Sequence, residues 1–477
     1  MGDEISSSHF SQADFEAFEQ RLGRETVLLR RWFEEQAFSD AVPVCGLELE
    51  AWLIDEQASP AAMNQALMEQ LNDPMVVPEL AKFNVELNVQ PQSLSGRALS
   101  LLEQELQRTW KRCESVAAGL GARLVMTGIL PSVRQQDLTL ANMSEMKRYR
   151  ALNEQVLRLR EGHPLELDIH GSEHLNILHQ DVMLESAATS LQLHLKVGSD
   201  NAVRYYNAAQ IVSAPMVAAS TNSPYLFGRE LWEETRIPLF EQSVEVGGYG
   251  GAARGPVRRV SFGTGYAKTS MFECFEENQQ HFPVLLPMAF DEPETAMRYL
   301  RLHNGTIWRW NRPLIGFDDD GTPHLRIEHR VLSGGPTVID CIANTAFFYG
   351  LVHALATCDT APELGLPFAT ARDNFYAAAH DGLDAHITWL DGNKRPVQSL
   401  LVDVLLPLAS HGLDLLEIDS KDRDRYLGIV RQRIVNGCTG SRWQRAWVAR
   451  HGSDMRLLTE AIYERQQGGE PVHDWRL

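Results

Sequence analysis

Apolar residues recur along this chain at two spacings, and the switches between them mark out its elements. Across 11–38, Phe15, Phe18, Leu22, Val27, Leu28 and Trp32 stand among Glu, Gln and Arg, which predicts an amphipathic helix. Val44-Cys45-Gly46-Leu47-Glu48-Leu49-Glu50 then alternates carboxylates with apolar residues, as a strand with one polar face does, and the strand is expected over 44–54. A small helix near 61–72 and a strand over 83–90 follow. Ser95-Gly96-Arg97 opens a long amphipathic helix reaching about Leu120, and Leu124-Val125-Met126-Thr127-Gly128 reads as a further strand. Asn142 to Arg160 is expected as helix and 188–197 as strand. Residues 200–219 form a mostly apolar helix ending at the turn Asn222-Ser223-Pro224. The stretch Gly305 to Pro313 is strand-like, and past the acidic turn Asp318-Asp319-Asp320-Gly321 comes a second strand, Leu325 to Val331. Residues 337–477 read almost wholly as helix. Strands separated by helices, with hairpin-like connections near 307–331, favour an α+β fold whose antiparallel sheet is flanked by helices. The expected organisation is an N-terminal helical segment (1–40), an α+β core (41–360) and a helical C-terminal part (361–477) packed on that core as one domain.

Composition narrows the functional classes. The chain has 477 residues, 44% of them apolar, enough for one large domain or two ordinary ones. A net charge of −19 argues against nucleic acid or an anionic membrane as partner, since either calls for a basic surface. The opening Met1-Gly2-Asp3-Glu4-Ile5-Ser6 is acidic and has no apolar core, so no secretory leader is expected. The most apolar stretch, about Val338 to Thr357, contains Asp340, Asn344 and His353 and reads as a buried helix rather than a membrane span. Cys45, Cys113, Cys274, Cys341, Cys358 and Cys438 are scattered without metal-finger spacing, which suits reduced thiols in a cytoplasmic protein.

The polar strand faces carry the chemistry. Residues i and i+2 of a strand share a face, so Glu48 pairs with Glu50, Glu86 with Asn88, Gln192 with His194, and Glu328 with Arg330. A face this rich in carboxylates repels itself unless something positive sits on it. Hard divalent cations take oxygen ligands and often bridge to phosphates, so repeated faces of this kind point to a metal–nucleotide site. Residues 247–265 hold seven glycines with Arg254, Arg258 and Arg259; this is either a mobile loop over a phosphate site or a plain surface loop. It has no Walker pattern, and Phe262-Gly263-Thr264-Gly265 lacks the companions of a kinase glycine loop. His170, His174 and His179 do not form the His-Glu-x-x-His of zinc proteases; Pro164 and Gly171 disfavour a helix there, and the three are read as solvated or packed histidines. Trp232, Trp308 and Trp310 are read as core.

Taken in order, several motifs resemble the glutamate–cysteine ligase type 2 family, the carboxylate–amine ligases, whose fold is related to glutamine synthetase. They are Gly46-Leu47-Glu48-Leu49-Glu50, Pro78-Glu79-Leu80 with Glu86, Gln192-Leu193-His194, Asn222-Ser223-Pro224 followed by Arg236, Thr306-Ile307-Trp308 with Arg312, and Glu328-His329-Arg330. The resemblance implies a sheet-borne active site that uses ATP and Mg²⁺ (or Mn²⁺) to join a carboxylate, usually the γ-carboxylate of glutamate, to an amine such as that of cysteine through an acyl phosphate. It implies metal ligation by Glu48, Glu50, Glu86 and Glu328, with Glu79 and His194 next. Gln192 and Asn88 are then expected to touch substrate or nucleotide. Arg236, Arg312 and Arg330 suit bidentate recognition of phosphate or of an α-carboxylate, with Arg330 and Arg312 as the catalytic pair, against the alternative of structural ion pairs to the site glutamates. The family's pattern usually has an acidic residue shortly after its Glu-x-Arg; here Ser333-Gly334-Gly335-Pro336 stands instead. Rival readings are a ligase of the same mechanism with another acid or amine, a phosphotransferase on the same scaffold, and a non-catalytic sensor. The small-molecule partners, and whether a homo-oligomer forms, stay open at this point.

Overall fold

A computed structural model describes residues 9–40, 43–246 and 258–477. The Met1 to Ser6 opening and most of the glycine-rich 247–265 stretch, Arg254 included, lie outside the described residues.

An eight-stranded antiparallel sheet organises the molecule. Along its main path the strands run Asn311–Phe317, Pro323–Ser333, Ser190–Val197, Val44–Ile54, Asn84–Asn88 and Val76–Pro78, and the short strands Gln92–Ser93 and Arg123–Val125 pair with the two ends of Val44–Ile54. The α+β class with an antiparallel sheet flanked by helices is therefore the observed one. Alternation in sequence becomes two unlike faces. Leu47, Leu49, Leu191, Leu193, Leu195, Leu325 and Ile327 turn to the far side, each at most 2% exposed, and join one core with the long helices. That core is closed by the helices Ala98–Gly119, Ala202–Ser220 and Val338–Thr357. A second core gathers Trp52, Phe83 and the hairpin Leu165–His170/His174–His179 with parts of the last two helices. Asn311–Phe317 is the sheet edge, where Pro313 withholds no ladder hydrogen bond.

Val338–Thr357 is long and apolar enough to cross a membrane, yet 89% of its apolar window is buried inside the protein. Asp340, Asn344 and His353 all have partners there. Asp340 meets Arg433 at 2.7 Å, Asn344 accepts from the same guanidinium at 2.5 Å, and His353 lies 2.7 Å from the Tyr205 hydroxyl.

Two local expectations need correction. Gly305 to Pro313 is not a continuous strand: Gly305 ends the helix Arg298–Gly305, Trp308–Arg309 pairs parallel to Val260–Ser261, and the sheet strand begins at Asn311. The glycine supplies the stop, and Thr306 folds its hydroxyl back onto the His303 carbonyl at 2.8 Å. The C-terminal helices are interrupted by a hairpin, His386–Thr388 with Lys394–Pro396, turned by Asp391-Gly392-Asn393 with Gly392 in the left-handed region at φ +76°. The histidines at 170 and 174 are on no helix and lie across a hairpin from one another, both exposed, while His179 is buried.

Candidate functional site

The sheet's near face assembles the site by register. Glu48 stands opposite Asn88 on one side and Gln192 on the other; Glu50 stands opposite Glu86; His194 stands opposite Glu328, and Glu328 opposite Arg312. Directly opposed residues share a face, so five strands deliver these side chains to one surface. The far side holds the scaffold in place. The Tyr349 hydroxyl, from Val338–Thr357, lies 3.0 Å from the Gly46 carbonyl and 2.8 Å from that of His194.

Three hydrogen-bonded groups give the surface its geometry. Arg312 forks onto Glu328 through Nε at 2.6 Å and a terminal nitrogen at 3.0 Å. Arg330 donates to Gln192 Oε1 at 2.5 Å and to Glu328 Oε1 at 3.1 Å. Glu50 accepts from the Ser190 backbone N–H at 2.7 Å and from Gln192 Nε2 at 2.9 Å, while Asn88 donates to Glu86 at 2.9 Å.

On this face two sets of donor atoms converge closely enough to hold a metal ion: Glu50, Glu79 and Glu86, and Glu48, His194 and Glu328, the atoms of each set lying within 4.8 Å of one another. Their electrostatics fit a cation. Burial drives Glu50 up to about 7, with Glu86 adding to the rise and Arg330 opposing it. Burial likewise takes Glu79 to about 7, helped by Glu50, and Glu86 well above the usual carboxylate range, helped by Glu48 and Glu79. Glu328 goes the other way: burial opposes ionisation, but Arg312 and Arg330 hold it well below its ordinary value. Nδ1 of the buried His194 has no hydrogen-bond partner among the described residues, while Nε2 faces Glu48 at 3.1 Å. A buried imidazole nitrogen turned to a carboxylate, among further crowded carboxylates, is what an oxygen- and nitrogen-ligated divalent ion would satisfy.

A cavity of about 250 Å³ opens over this face. Its glutamates lie toward the strands Val44–Ile54 and Asn84–Asn88. Its arginines come mainly from the opposite side, Arg298 and Arg301 on the helix Arg298–Gly305, Arg312 on the edge strand, and Arg326 and Arg330 on Pro323–Ser333. The buried Nε atoms of Arg326 and Arg330 have no hydrogen-bond partner among the described residues. Leu300, Leu302, Trp308 and Leu314 supply apolar wall.

The structure brings Glu48, Glu50, Glu79, Glu86, Gln192, His194, Arg312 and Arg330 into or directly around this cavity, with Glu328 beneath its arginines. Asn88 reaches it only through Glu86. Arg236 is 2% exposed and lies behind the sheet's surface, donating to the Arg330 carbonyl at 2.9 Å, with its guanidinium 5.3 Å from the Trp310 ring centre. It is not among the described residues that line the cavity. Asn222, Ser223 and Ser333 belong to the same backing: Asn222 holds the Gly334 carbonyl at 2.8 Å, and both serine hydroxyls bond Glu234. The Ser333–Pro336 stretch is thus a buried crossing; Gly335 adopts φ +83°, where a Cβ would come within 2.7 Å of the Met126 carbonyl oxygen. Of the basic cluster near the glycine-rich stretch, Arg258 faces Glu241 and Glu245, and Arg259 is buried on the Thr306 carbonyl at 2.9 Å.

Several lining residues escaped the sequence reading. Glu185, on the short helix Val182–Ala187, is pushed up to about 8 by burial and by Glu50. Arg148 and Tyr149 come from the first turn of Lys147–Leu159, the guanidinium donating to the phenol oxygen at 2.6 Å. No period links these positions to the strands. Arg326 was legible: it precedes Glu328 by two residues on a strand already recognised. Trp308, taken for core, lines the cavity, whereas Trp310 is fully buried.

Comparison with known proteins gives this sheet and its polar face a family. The sequence profile of glutamate–cysteine ligase family 2 matches residues 44–461, so the chain belongs to that family and to the carboxylate–amine ligases. Among solved structures, the fold is similar to glutamate–cysteine ligase from Francisella tularensis in complex with AMP, at a TM-score of 0.56 and 10% identity over 90% of each chain. It is also similar to a bifunctional glutathione synthetase from Pasteurella multocida, at 0.50 and 10% identity; the match takes in 93% of this chain and 54% of that one. No curated protein matches the sequence.

Proposed function

We propose that this enzyme uses ATP to condense the γ-carboxylate of glutamate with the amine of cysteine, releasing ADP and phosphate. The observation that carries the reading is the division of one cavity into a carboxylate end able to hold cations and an arginine end with unused N–H donors. That division suits a substrate which is a polyanion at one end and must be held against a second anion. Glu50, Glu79 and Glu86 would hold one Mg²⁺ or Mn²⁺ and Glu48, His194 and Glu328 another, and ions bound there would neutralise phosphate charge. AMP in the Francisella ligase supports an adenine nucleotide here, and the apolar wall of Leu300, Leu302, Trp308 and Leu314 gives a base somewhere to lie.

The chain's own groups do the rest. A carboxylate oxygen of the acid attacks the γ-phosphorus and ADP departs; the amine nitrogen then attacks the acyl carbon and phosphate departs. Arg330, fixed by Gln192 and Glu328 and held from behind by Arg236, offers its free donors to the oxygens of the transferring group. Arg312 keeps Glu328 oriented and ionised, and Arg326 adds a second donor to the same region. Glu185 lies outside both metal sets and lines the cavity, which places its carboxylate to take the proton the attacking amine gives up. Ser333–Pro336, where the family usually places an acid, leaves the choice of amine to other residues of the cavity. The test is an ADP-release screen over amino acids in pairs, with mass spectrometry of the product. Glutamate with cysteine should give the dipeptide. A different pair would keep the mechanism and change the substrates, and a stable phosphorylated product without an amide would replace the ligase reading by a phosphotransferase.

A further inference from the structure

Away from this cavity, the hairpin Leu165–His170/His174–His179 shows outward a second convergence of metal-binding atoms. Along Leu165–His170 burial alternates strictly, so Glu166, Asp168 and His170 face solvent, and across the turn His170 is paired in register with His174. The two imidazoles stack with centroids 3.9 Å apart and planes 12° from parallel. Both aim Nε2 at one carboxylate oxygen: His174 lies 2.6 Å from Asp168 Oδ1 and His170 3.4 Å. The ligand atoms of all three lie within 4.8 Å of one another.

The backbone under them is pinned. Gln242 accepts from the Asp168 N–H at 2.8 Å and donates to its carbonyl at 3.2 Å, and Trp232 Nε1 donates to the His170 carbonyl at 2.7 Å. At the turn, a Cβ on Gly171 would meet the Leu231 backbone at 2.4 Å, so the chain there cannot shift toward it. The backbone carrying the three ligands is fixed, and binding takes only a rotation of the two stacked rings until their lone pairs converge on the ion.

We propose that Asp168, His170 and His174 form a separate site for a borderline divalent cation of the Zn²⁺ or Ni²⁺ kind. With Zn–N and Zn–O bonds of about 2.0–2.2 Å, tetrahedral ligand atoms sit roughly 3.3 Å apart; the His170–Asp168 spacing already has this value, and the His174–Asp168 contact opens as the ion displaces their shared proton. Two imidazoles and one carboxylate favour these ions over Mg²⁺, which takes oxygen and dehydrates reluctantly. The exposure of the three side chains, 72% for His170, 50% for His174 and 43% for Asp168, leaves the remaining coordination positions to water or an external ligand, so the ion is exchangeable.

The experiment uses the full chain stripped by chelator and returned to millimolar Mg²⁺, which occupies the oxygen-rich cavity. Zn²⁺ is then titrated in competition with a chromogenic chelator, for the wild type and for His170→Ala and His174→Ala. One equivalent should bind the wild type. Each variant should bind it at least about tenfold more weakly, since even partners of ligands are worth 10–100-fold in affinity. Unchanged thermal midpoints in chelator and unchanged Mg²⁺-supported ADP release would show that the variants are folded. An equivalent retained at full affinity in either variant, or none in the wild type, overturns the assignment. The zinc titration and the thermal midpoints do not depend on which acid and amine the enzyme joins.

Discussion

Glu25 lies in the N-terminal helix Gln12–Glu34, at 1% exposure, and reaches across to the helix that carries Arg298 and Arg301. Its Oε2 accepts the Leu300 N–H at 2.8 Å, so one helix caps the first turn of another. A carboxylate at a helix N-terminus is ordinarily favoured in its ionised form. Here burial outweighs the N–H donors and takes the group from 4.5 to about 7. The folded state therefore holds its proton more tightly than the unfolded one. Below about pH 4.5 the group is protonated in both states and the stabilisation is complete. As pH rises from there to about 7, the unfolded chain ionises first and stability is lost; above that window the loss is constant. At about 1.36 kcal/mol per pH unit, the rise of about 2.5 units corresponds to an upper bound of about 3 kcal/mol.

Glu25→Gln keeps an acceptor for Leu300 and removes the ionisation. The variant should match the wild type at about pH 4 and exceed it increasingly up to about pH 7.5, reaching a thermal midpoint several degrees higher. Melting both proteins at half-unit pH intervals, with chelator and constant ionic strength, gives the difference directly, and the carboxylates common to both cancel. Parallel curves, or a variant that loses stability relative to the wild type as pH rises, would refute the placement of Glu25 as a buried carboxyl that keeps its proton.

Glu50→Gln should lower kcat by about two orders of magnitude or more, because its partners Ser190 and Gln192 are neutral and the change removes charge at the metal set alone; near-normal Mg²⁺-dependent turnover would remove Glu50 from that set. Arg330→Lys should reduce kcat far more than it raises KM for ATP, with the midpoint within a few degrees because Arg312 still neutralises Glu328; normal turnover with early melting would make Arg330 a structural ion-pair partner. Glu185→Gln should still make acyl phosphate, trapped as hydroxamate by hydroxylamine, while amide formation falls about 10²-fold; equal loss of both would take the proton-accepting role from Glu185. A folded variant with every cysteine replaced should retain turnover, since no cysteine is among the described residues lining the cavity; inactivation mapped to one thiol would point to an acyl-thioester route.

The sequence made strand faces legible and left their neighbours hidden. Alternation over 44–50 places Glu48 and Glu50 together whatever the fold, because side-chain direction in a strand has a period of two. That Glu48 lies between Asn88 and Gln192, and His194 against Glu328, depends on a strand order joining segments distant in sequence, two of these three pairings across more than a hundred residues, and no local pattern encodes it. Glu185 and Arg148 reach the cavity from a short helix and from a helix's first turn, where neighbouring residues point in other directions. Arg236 shows the converse. A charged residue after Asn222-Ser223-Pro224 reads equally as a ligand for substrate or as a support, and only its burial behind Arg330 separates the two. The Asp391-Gly392 turn was readable and was lost within an apolar C-terminal pattern.

The division of the sheet also explains how so many carboxyls can share one surface in a folded protein. Glu50, Glu79, Glu86 and Glu185 are each raised by burial and by a neighbouring carboxylate, so without a cation this face works against the fold. On the other side Leu47, Leu49, Leu191, Leu193, Leu195, Leu325 and Ile327 are almost wholly withdrawn from water, each contributing roughly 1.5–3 kcal/mol. The same strands carry both sets, so the apolar face fixes the register that the polar face needs. A polar substitution at Leu193 should therefore damage the site without touching it. Slipping Ser190–Val197 by one residue would exchange its faces, turning Gln192 and His194 toward the helices and Leu193 toward the carboxylates.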